Sequence, residues 1–273
     1  MKNTIPRFCQ IVKIEEENSN IKTFYIKVGS DDNFFPGQFV MLWIQGVDQK
    51  PFSISGFDGE TIALTVFKRG ALTEKLFAFK VGDKVGITGP FGTFFSQNEN
   101  THYLLVAGGY GAAPLYFLAS SLAKTNSTID FFLGARTLEQ LLFIDKIKSL
   151  TKTNLFIATD DGSEGAKGFV TDEFLKQLQK IENKENVLVC VCGPELMEKK
   201  VLDICNAEKV SAEISIERYM KCGFGVCGQC AVDPLGICMC KSGPVVKKEL
   251  ANQITEFGVY HRDKTGTKIY FNK

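Results

Sequence analysis

The stretch YLLVAGGYGAAP, residues 103–114, decides how the chain is organised. An apolar run ends at Gly108, a glycine-rich turn follows, and a second apolar run begins at Ala112. Residues 103–123 carry no charged side chain over 21 positions, which is long enough to cross a membrane. Because the glycines and Pro114 interrupt that run, a buried strand, a tight turn and a buried helix are predicted instead.

C-terminal to this unit, apolar strands and helices alternate. Strands are predicted over residues 103–107, 129–133, 155–158 and 187–192, with helices over 112–122, 138–149, 171–181 and 195–208. Near-continuous apolar strands separated by helices indicate a parallel α/β sheet.

N-terminal to the same unit, the first hundred residues have the pattern of an antiparallel barrel. Short β-rich runs cover residues 7–14, 21–28, 38–44, 61–67 and 84–88. Turn signals such as Pro36-Gly37 and Asp58-Gly59 separate them, which is typical of a small barrel. One helix is predicted over residues 71–79, and the polar residues 96–101 are interpreted as a linker.

Length and composition indicate two domains and exclude a broad nucleic-acid footprint. The chain has 273 residues, whereas a domain usually has roughly 100–200. Its 32 basic and 31 acidic residues leave a net charge of +1. The first residues, MKNTIPRFCQIVKIEEE, have no apolar core of a secretory signal. We therefore expect a soluble, cytoplasmic protein whose nine cysteines are free thiols or metal ligands.

Five of the nine cysteines lie within 19 residues near the C-terminus. Cys222, Cys227, Cys230 and Cys240 have the C-x4-C-x2-C…C spacing that is typical of a plant-type [2Fe–2S] cluster. Cys238 lies close enough to compete for the fourth position. A structural zinc site is the open alternative, although zinc ligands usually come as two C-x2-4-C pairs.

Two glycine-containing loops follow predicted parallel strands. The first holds Gly108, Gly109 and Gly111 ahead of a helix, where backbone amides can bind phosphate. The second, Cys192-Gly193-Pro194, ends the fourth strand, and ligands collect at the carboxyl ends of such strands. Since the strict G-x-G-x-x-G spacing is absent, a tight turn and a buried cysteine are equally open interpretations.

The barrel carries two further candidate segments. Lys50-Pro51-Phe52-Ser53 combines a cation, an aromatic ring and a hydroxyl, and Gly70 and Thr73 lie at the start of a predicted helix. Free amides and a hydroxyl at such a start can hold a diphosphate. On the residues alone, Phe52 can equally belong to the core and Thr73 can cap the helix.

Taken in this order along the chain, these motifs resemble the ferredoxin-NADP reductase superfamily. The cysteine loop, followed by Gly243-Pro244-Val245, is similar to the electron-transfer subunits of NAD-dependent dihydroorotate dehydrogenases. The resemblance covers nearly the whole chain. It implies an FAD-binding barrel over residues 1–98, an NAD-binding α/β domain over 99–213 and a [2Fe–2S] segment over 214–273.

The resemblance also implies roles for the quoted residues. Pro51, Phe52 and Ser53 would lie against the isoalloxazine, and Gly70 and Thr73 would lie at the FAD diphosphate. Gly109, Gly111 and Cys192-Gly193-Pro194 would contact NAD(H), and the four spaced cysteines would hold the cluster. Superfamily members usually carry Arg where this chain has Lys50, which can pair with a phosphate but lacks the bidentate fork.

The implied activity is electron transfer in pyrimidine biosynthesis, with no catalytic acid–base residue on this chain. A partner catalytic subunit would oxidise dihydroorotate at its FMN, in a heterotetramer of two copies of each chain. Electrons would pass through the cluster and FAD to NAD+. The alternatives are a flavin and iron–sulfur subunit of an NAD(P)H-ferredoxin, sulfide or hydrogenase-type oxidoreductase, and a zinc-stabilised interaction protein without enzymatic activity.

Overall fold

The computed structural model describes residues 4–30 and 32–271. Its first part is an antiparallel sheet of seven strands that forms the barrel, in the order β4-β3-β7-β1-β2-β6-β5. These strands are β1 (Arg7–Asn18), β2 (Ile21–Lys27), β3 (Phe39–Ile44), β4 (Asp48–Ser53), β5 (Gly56–Phe57), β6 (Thr61–Phe67) and β7 (Lys84–Phe91). Helix α1 (Ala71–Phe77) lies between the last two.

The barrel closes around its own apolar core. Alternate side chains of the central strands point inward, so that Phe24 and Ile26 of β2 are fully buried together with Ile62 and Leu64 of β6. This period of two is the pattern of a sheet that is buried on one face. The outward face therefore stays available for other contacts.

The second part is a parallel sheet with helices on its faces. Its strands are β8 (His102–Gly108), β9 (Thr128–Ala135), β10 (Thr153–Thr159), β11 (Ala166–Lys167), β12 (Val187–Cys192) and β13 (Ser211–Ser215). The helices are α2 (Ala112–Leu122), α3 (Ile144–Lys148), α4 (Val170–Leu178) and α5 (Glu195–Ala207). The order β11-β10-β9-β8-β12-β13 reverses direction beside β8, so the loops after β8 and β12 lie next to each other. Such a switch point is where open α/β sheets bind ligands.

The C-terminal segment folds back onto both domains. It contains β14 (Ala231–Val232), β15 (Ile237–Cys238), α6 (Met239–Ser242), β16 (Val245–Lys247), α7 (Lys248–Ala251), β17 (Tyr260–Arg262) and β18 (Lys268–Tyr270). Strand β16 pairs antiparallel with β13 and becomes the edge of the second sheet. The Thr93 amide at the end of the barrel donates to the Gly243 carbonyl at 2.6 Å.

The fold class predicted from the sequence is confirmed, with one element wrong. The helix predicted over residues 138–149 is a short 3-10 turn followed by α3, because Phe143 adopts a left-handed conformation with φ 64° and ends helical continuity. Leu142 and Phe143 are buried there as a loop. Strand β13 crosses the predicted boundary between residues 213 and 214. The domain limits stay a prediction, and residues 1–3, 31, 272 and 273 of the predicted ranges lie outside the described part.

The uncharged stretch of residues 103–123 forms most of β8, the glycine turn and α2, so it is not one continuous helix. Among the described residues, no helix is both long and apolar enough to span a bilayer.

Candidate functional site

The cysteine loop wraps its backbone around the Cys222 sulfur. Gly223 and Gly225 both have φ 85°, a left-handed conformation that allows the chain to turn twice within four residues. Burial acts to raise the pKa of Cys222. Hydrogen bonds from the backbone amides of Cys227, Phe224 and Val226 outweigh burial and lower this pKa to about 7. The loop therefore favours a thiolate at this position.

The four spaced cysteines lie as two neighbouring pairs. The Cys227 side chain lies within hydrogen-bonding reach of Cys222, and the side chains of Cys240 and Cys238 lie within reach of Cys230. The hydrogen bond from the Cys240 thiol, together with the Cys240 amide at 3.4 Å from the Cys230 sulfur, lowers the pKa of Cys230 to about 6. The same bond raises the pKa of Cys240, which donates its proton. Cys230 and Cys240 are both buried.

Cys238 lies at the edge of this cluster of sulfurs. It stands on β15 opposite Ala231 and its side chain hydrogen-bonds Cys230. Burial, followed by the negative charge of Cys230, raises its pKa. Cys240 also accepts a hydrogen bond from the Gly225 amide, which places it inside the loop. The geometry thus favours Cys240 over Cys238 as the fourth member of the set.

The donor set fits a two-iron cluster. Backbone amides aimed at cysteine sulfurs match the ligand chemistry and hydrogen bonding of [2Fe–2S] sites. The spacing of Cys222, Cys227, Cys230 and Cys240 also differs from the two C-x2-4-C pairs that zinc sites usually use.

The two glycine loops of the α/β domain pack backbone against backbone. A Cβ on Gly111 would collide with the Cys192 carbonyl and lie 2.9 Å from the Gly193 Cα. A Cβ on Gly193 would in turn lie 3.0 Å from the Gly108 Cα. Gly109 differs, since it has φ 54° and no atom within 4 Å of an added Cβ. Gly108, Gly111 and Gly193 therefore allow the two loops to pack closely. The backbone of Gly109 lies next to open space.

Acidic and thiol groups surround the second loop. Cys192 is buried, and burial followed by the nearby Glu198 and Glu217 charges raises its pKa. The Gly193 amide donates to the buried Glu198 carboxyl at 3.0 Å. Glu217 lies within electrostatic range of Cys192 and Tyr110. Desolvation, followed by the negative charge of Glu195, raises the pKa of Glu217, although the residue stays exposed to solvent.

The barrel residues lie half-buried on β4. Pro51, Phe52 and Ser53 each keep an accessible face, which suits contact with a planar ligand. The Lys50 ammonium, however, is 2.9 Å from the Asp48 carboxylate and 5.4 Å from the centroid of the Tyr219 ring. The hydrogen bond with Asp48 raises the pKa of Lys50. Lys50 is thus already paired within the chain.

The start of α1 is closed by its own threonine. The Thr73 hydroxyl donates to the Gly70 carbonyl at 3.0 Å and accepts from the Arg69 amide at 2.8 Å. Tyr110 of the glycine loop stacks on Phe67 at the end of β6, with ring centroids 6.1 Å apart. This stack joins the end of β6 to the glycine turn after β8.

The cysteine loop contacts the barrel directly. A Cβ on Gly223 would lie 2.7 Å from the Met41 Cγ, and the Phe224 ring lies 6.2 Å from that of Phe91. The barrel therefore borders both the cysteine loop and, through the Phe67–Tyr110 stack, the glycine turn. Sequence reasoning missed Glu217, Arg218, Tyr219 and Tyr110. Only Tyr110, within the glycine turn, carried a signal that could have identified it.

Comparisons with known proteins agree with this arrangement. Residues 105–203 match the oxidoreductase NAD-binding domain, and residues 217–250 match the iron-sulfur cluster binding domain of dihydroorotate dehydrogenase B. A solved NADH-dependent reduced ferredoxin-NADP oxidoreductase is 29% identical, with a TM-score of 0.77 over 91% of this chain and 93% of that chain.

Two curated relatives extend the match to nearly the full length. A protein of Methanocaldococcus jannaschii, named a probable dihydroorotate dehydrogenase B (NAD(+)) electron transfer subunit, is 45% identical over 97% of this chain and 99% of its own. One of the same name from Methanothermobacter thermautotrophicus is 37% identical over 97% of each chain. The chain therefore belongs to the family of dihydroorotate dehydrogenase B electron transfer subunits.

Proposed function

We propose that this chain is the electron-transfer subunit of a dihydroorotate dehydrogenase, linking an FMN-containing catalytic subunit to NAD+ in pyrimidine biosynthesis. The observation that carries the proposal is the paired thiol set within the segment matched to the iron-sulfur domain of dihydroorotate dehydrogenase B. It lies on the same chain as a matched NAD-binding domain. When bound, the [2Fe–2S] cluster and FAD supply one- and two-electron redox chemistry, which protein side chains lack.

Four cysteines would hold the cluster: Cys222, Cys227, Cys230 and Cys240. Cys227 lies beside Cys222, and Cys240 lies beside Cys230. Backbone amides directed at Cys222 would stabilise added negative charge and so raise the reduction potential. Phe224 and Val226 are exposed beside this set and would offer apolar contacts to a partner protein.

The barrel would bind FAD through β4 and the start of α1. Pro51, Phe52 and Ser53 would lie against the isoalloxazine, and Gly70 and Thr73 would lie at the diphosphate. Lys50 would pair with a phosphate of FAD, because its ion pair with Asp48 is exposed and can exchange for a ligand.

The crevice between the barrel and the parallel sheet would bind NAD(H). Gly109 offers open backbone next to the start of α2, and Gly108, Gly111, Gly193 and Pro194 hold the two loops together. Cys192 would lie beside the nicotinamide, where its burial keeps it as a neutral thiol. Asp160 directly follows β10 at the carboxyl edge of the sheet, where its charge would repel a ribose 2′-phosphate and so favour NAD over NADP.

We propose that the chain works in a heterotetramer with two catalytic subunits, in the cytoplasm. Its residues position the cofactors and exclude water, and none acts as a general acid or base. The thiol-rich composition suits a reducing compartment. We keep residues 1–98, 99–213 and 214–273 as the proposed flavin, nucleotide and cluster segments.

Anaerobic co-purification with a dihydroorotate dehydrogenase catalytic subunit tests the proposal. The expected complex contains FAD, FMN and, for each copy of this chain, about two irons and two sulfides. Native mass measurement gives the stoichiometry. Bound zinc without flavin would support the interaction-protein alternative, and absence of a complex would exclude the assigned partner.

A second candidate rests on the similarity to the NADH-dependent reduced ferredoxin-NADP oxidoreductase over 91% of the chain. In that case the partner would be a different flavoprotein. NADH-dependent reduction of ferredoxin by a complex that does not oxidise dihydroorotate would favour this candidate.

A further inference from the structure

One extended segment passes all three proposed cofactor sites. In residues 217–222, side chains alternate between the solvent side and the interior, with Arg218 and Met220 buried. The opposite side carries Glu217, whose charge reaches Cys192 and Tyr110 of the two glycine-containing loops. Tyr219 follows beside Lys50 of the barrel, and Cys222 begins the cluster loop. Six residues thus place one side chain at each site.

Arg218 anchors this segment from its buried side. Its Nε donates to Glu256 Oε1 at 2.6 Å. Its Nη1 and Nη2 donate to the two oxygens of Glu195 at 2.8 and 3.2 Å. The Nη1 also donates to the backbone carbonyl of Glu217 at 2.7 Å, which fixes the segment itself. The Arg218 side chain is 2% exposed, so water contributes little to holding it.

The two carboxylates come from separate parts of the fold. Glu195 begins α5 directly after Cys192-Gly193-Pro194, and its Oε1 also accepts from the Gly258 amide at 2.8 Å. Glu256 is fully buried in the C-terminal segment, and its Oε2 accepts from the Asp233 amide at 3.0 Å. Arg218 therefore connects three parts of the chain: the start of α5 through Glu195, residues 217–222, and the C-terminal segment through Glu256.

We propose that Arg218 is a positioning residue that sets the geometry of all three cofactor sites together, through residues 217–222. This inference rests on the proposed function, because it concerns where Glu217, Tyr219 and Cys222 stand relative to the cofactors. The hydrogen-bond donors of a planar guanidinium point in fixed directions, so binding two carboxylates fixes the position of the Arg218 side chain. A lysine ammonium has no such fixed set of donors and cannot reproduce these bonds. Replacing it shifts the segment as a whole rather than one side chain.

The test is Arg218→Lys in the complete cofactor-loaded subunit, with one readout for each site. These are the Kd for NADH by titration, the visible absorption and circular dichroism of the flavin, and the electron paramagnetic resonance of the reduced cluster. We expect unchanged flavin and iron content, a Kd for NADH weaker by roughly tenfold or more, and shifts in both spectra.

Two further variants keep the test decisive. Glu256→Gln removes one charge of the network at almost constant side-chain volume, and it replaces Arg218→Lys as the test if that variant fails to fold. We expect it to change the same three readouts by a smaller amount. Lys184→Gln is the matched control, because it breaks a partly buried ion pair with Glu208 at 2.7 Å in the α/β domain without touching Arg218, Glu195 or Glu256. It should leave all three readouts as in the wild type.

The outcomes separate this inference from the proposed function. A lower melting temperature with three unchanged site readouts, or a change at one site alone, would overturn the positioning role while leaving the proposed function intact. A wild-type subunit that binds neither flavin nor iron would instead contradict the proposed function, and the inference would fall with it.

Discussion

Replacing Gly111 by alanine tests the packing of the two glycine loops. The added Cβ would collide with the Cys192 carbonyl and lie 2.9 Å from the Gly193 Cα. All three contacting atoms belong to the backbone, so no side-chain rotation can relieve the clash. The ends of β8 and β12 must move apart, although both strands are buried in the centre of the sheet.

The expected cost follows from two opposing effects. Overpacking of a rigid site costs about 1–3 kcal/mol of unfolding free energy. Gly111 has φ −60°, which alanine adopts easily, so a less flexible unfolded chain returns about 0.4–1 kcal/mol. The net loss is about 1–2 kcal/mol, which corresponds to a decrease in Tm of about 2–8 °C.

Thermal unfolding and NADH titration measure the two consequences separately. Gly111→Ala should lower both Tm and NADH affinity. Gly109→Asn should lower affinity but change unfolding free energy by less than about 1 kcal/mol, because asparagine tolerates φ 54° and the added atoms meet open space. Gly46→Asn, with φ 76° and equally open surroundings, is the control that should change neither quantity.

Two results would refute this reasoning. A Gly111→Ala variant as stable as the wild type would mean that the loops are not packed as described. A Gly109→Asn variant with unchanged NADH affinity would mean that the open space at Gly109 is not the nucleotide site.

Three further predictions concern the cluster and the nucleotide. Cys240→Ser should lose iron while Cys238→Ser keeps it, measured as iron per chain; the opposite pattern would reassign the fourth ligand. NADH affinity should fall as pH rises through the raised pKa of Glu217, because ionisation adds a negative charge beside the dinucleotide. Glu217→Gln should flatten that pH dependence, and an unchanged profile would remove Glu217 from the site. Asp160→Arg should shift the NADPH to NADH preference by about tenfold, from one charge-assisted hydrogen bond; no shift would place the ribose elsewhere.

Local pattern was enough to predict the regular elements. Strand 61–67, helix 112–122 and strand 187–192 have the bounds expected from the sequence. Each is bounded by glycine, proline or polar residues and has a clear apolar pattern, so neighbours along the chain determine it. Cys9, Cys190 and Cys205, which lie within predicted strands or a predicted helix, are buried.

Long-range pairing determined what the sequence did not reveal. Strand β13 is short and contains the polar Glu213, which is buried because it accepts from the Ser96 amide at 2.8 Å and from the Ser96 hydroxyl at 2.5 Å. Strand β16 exists only through its pairing with β13. The local pattern of a single sequence reveals neither the Glu213–Ser96 contact nor the pairing of β13 with β16.

The sequence was sufficient to predict the motifs of the candidate site, but not the long-range contacts that hold residues 217–219 in place. Cysteine spacing identified the sulfur cluster because ligand geometry imposes that spacing. Residues 217–219 have no such spacing, since their roles arise from Glu195 and Glu256, which lie 23 and 38 residues away from Arg218 in the chain.

The central claim is that this chain carries electrons from a dihydroorotate-oxidising subunit to NAD+. The most direct measurement is the increase in NADH absorbance when dihydroorotate and NAD+ are added to the co-expressed complex under anaerobic conditions. We predict dihydroorotate-dependent NAD+ reduction that requires this chain and is lost in Cys227→Ser, which should retain its flavin. A catalytic subunit that reduces NAD+ equally well without this chain would contradict the account.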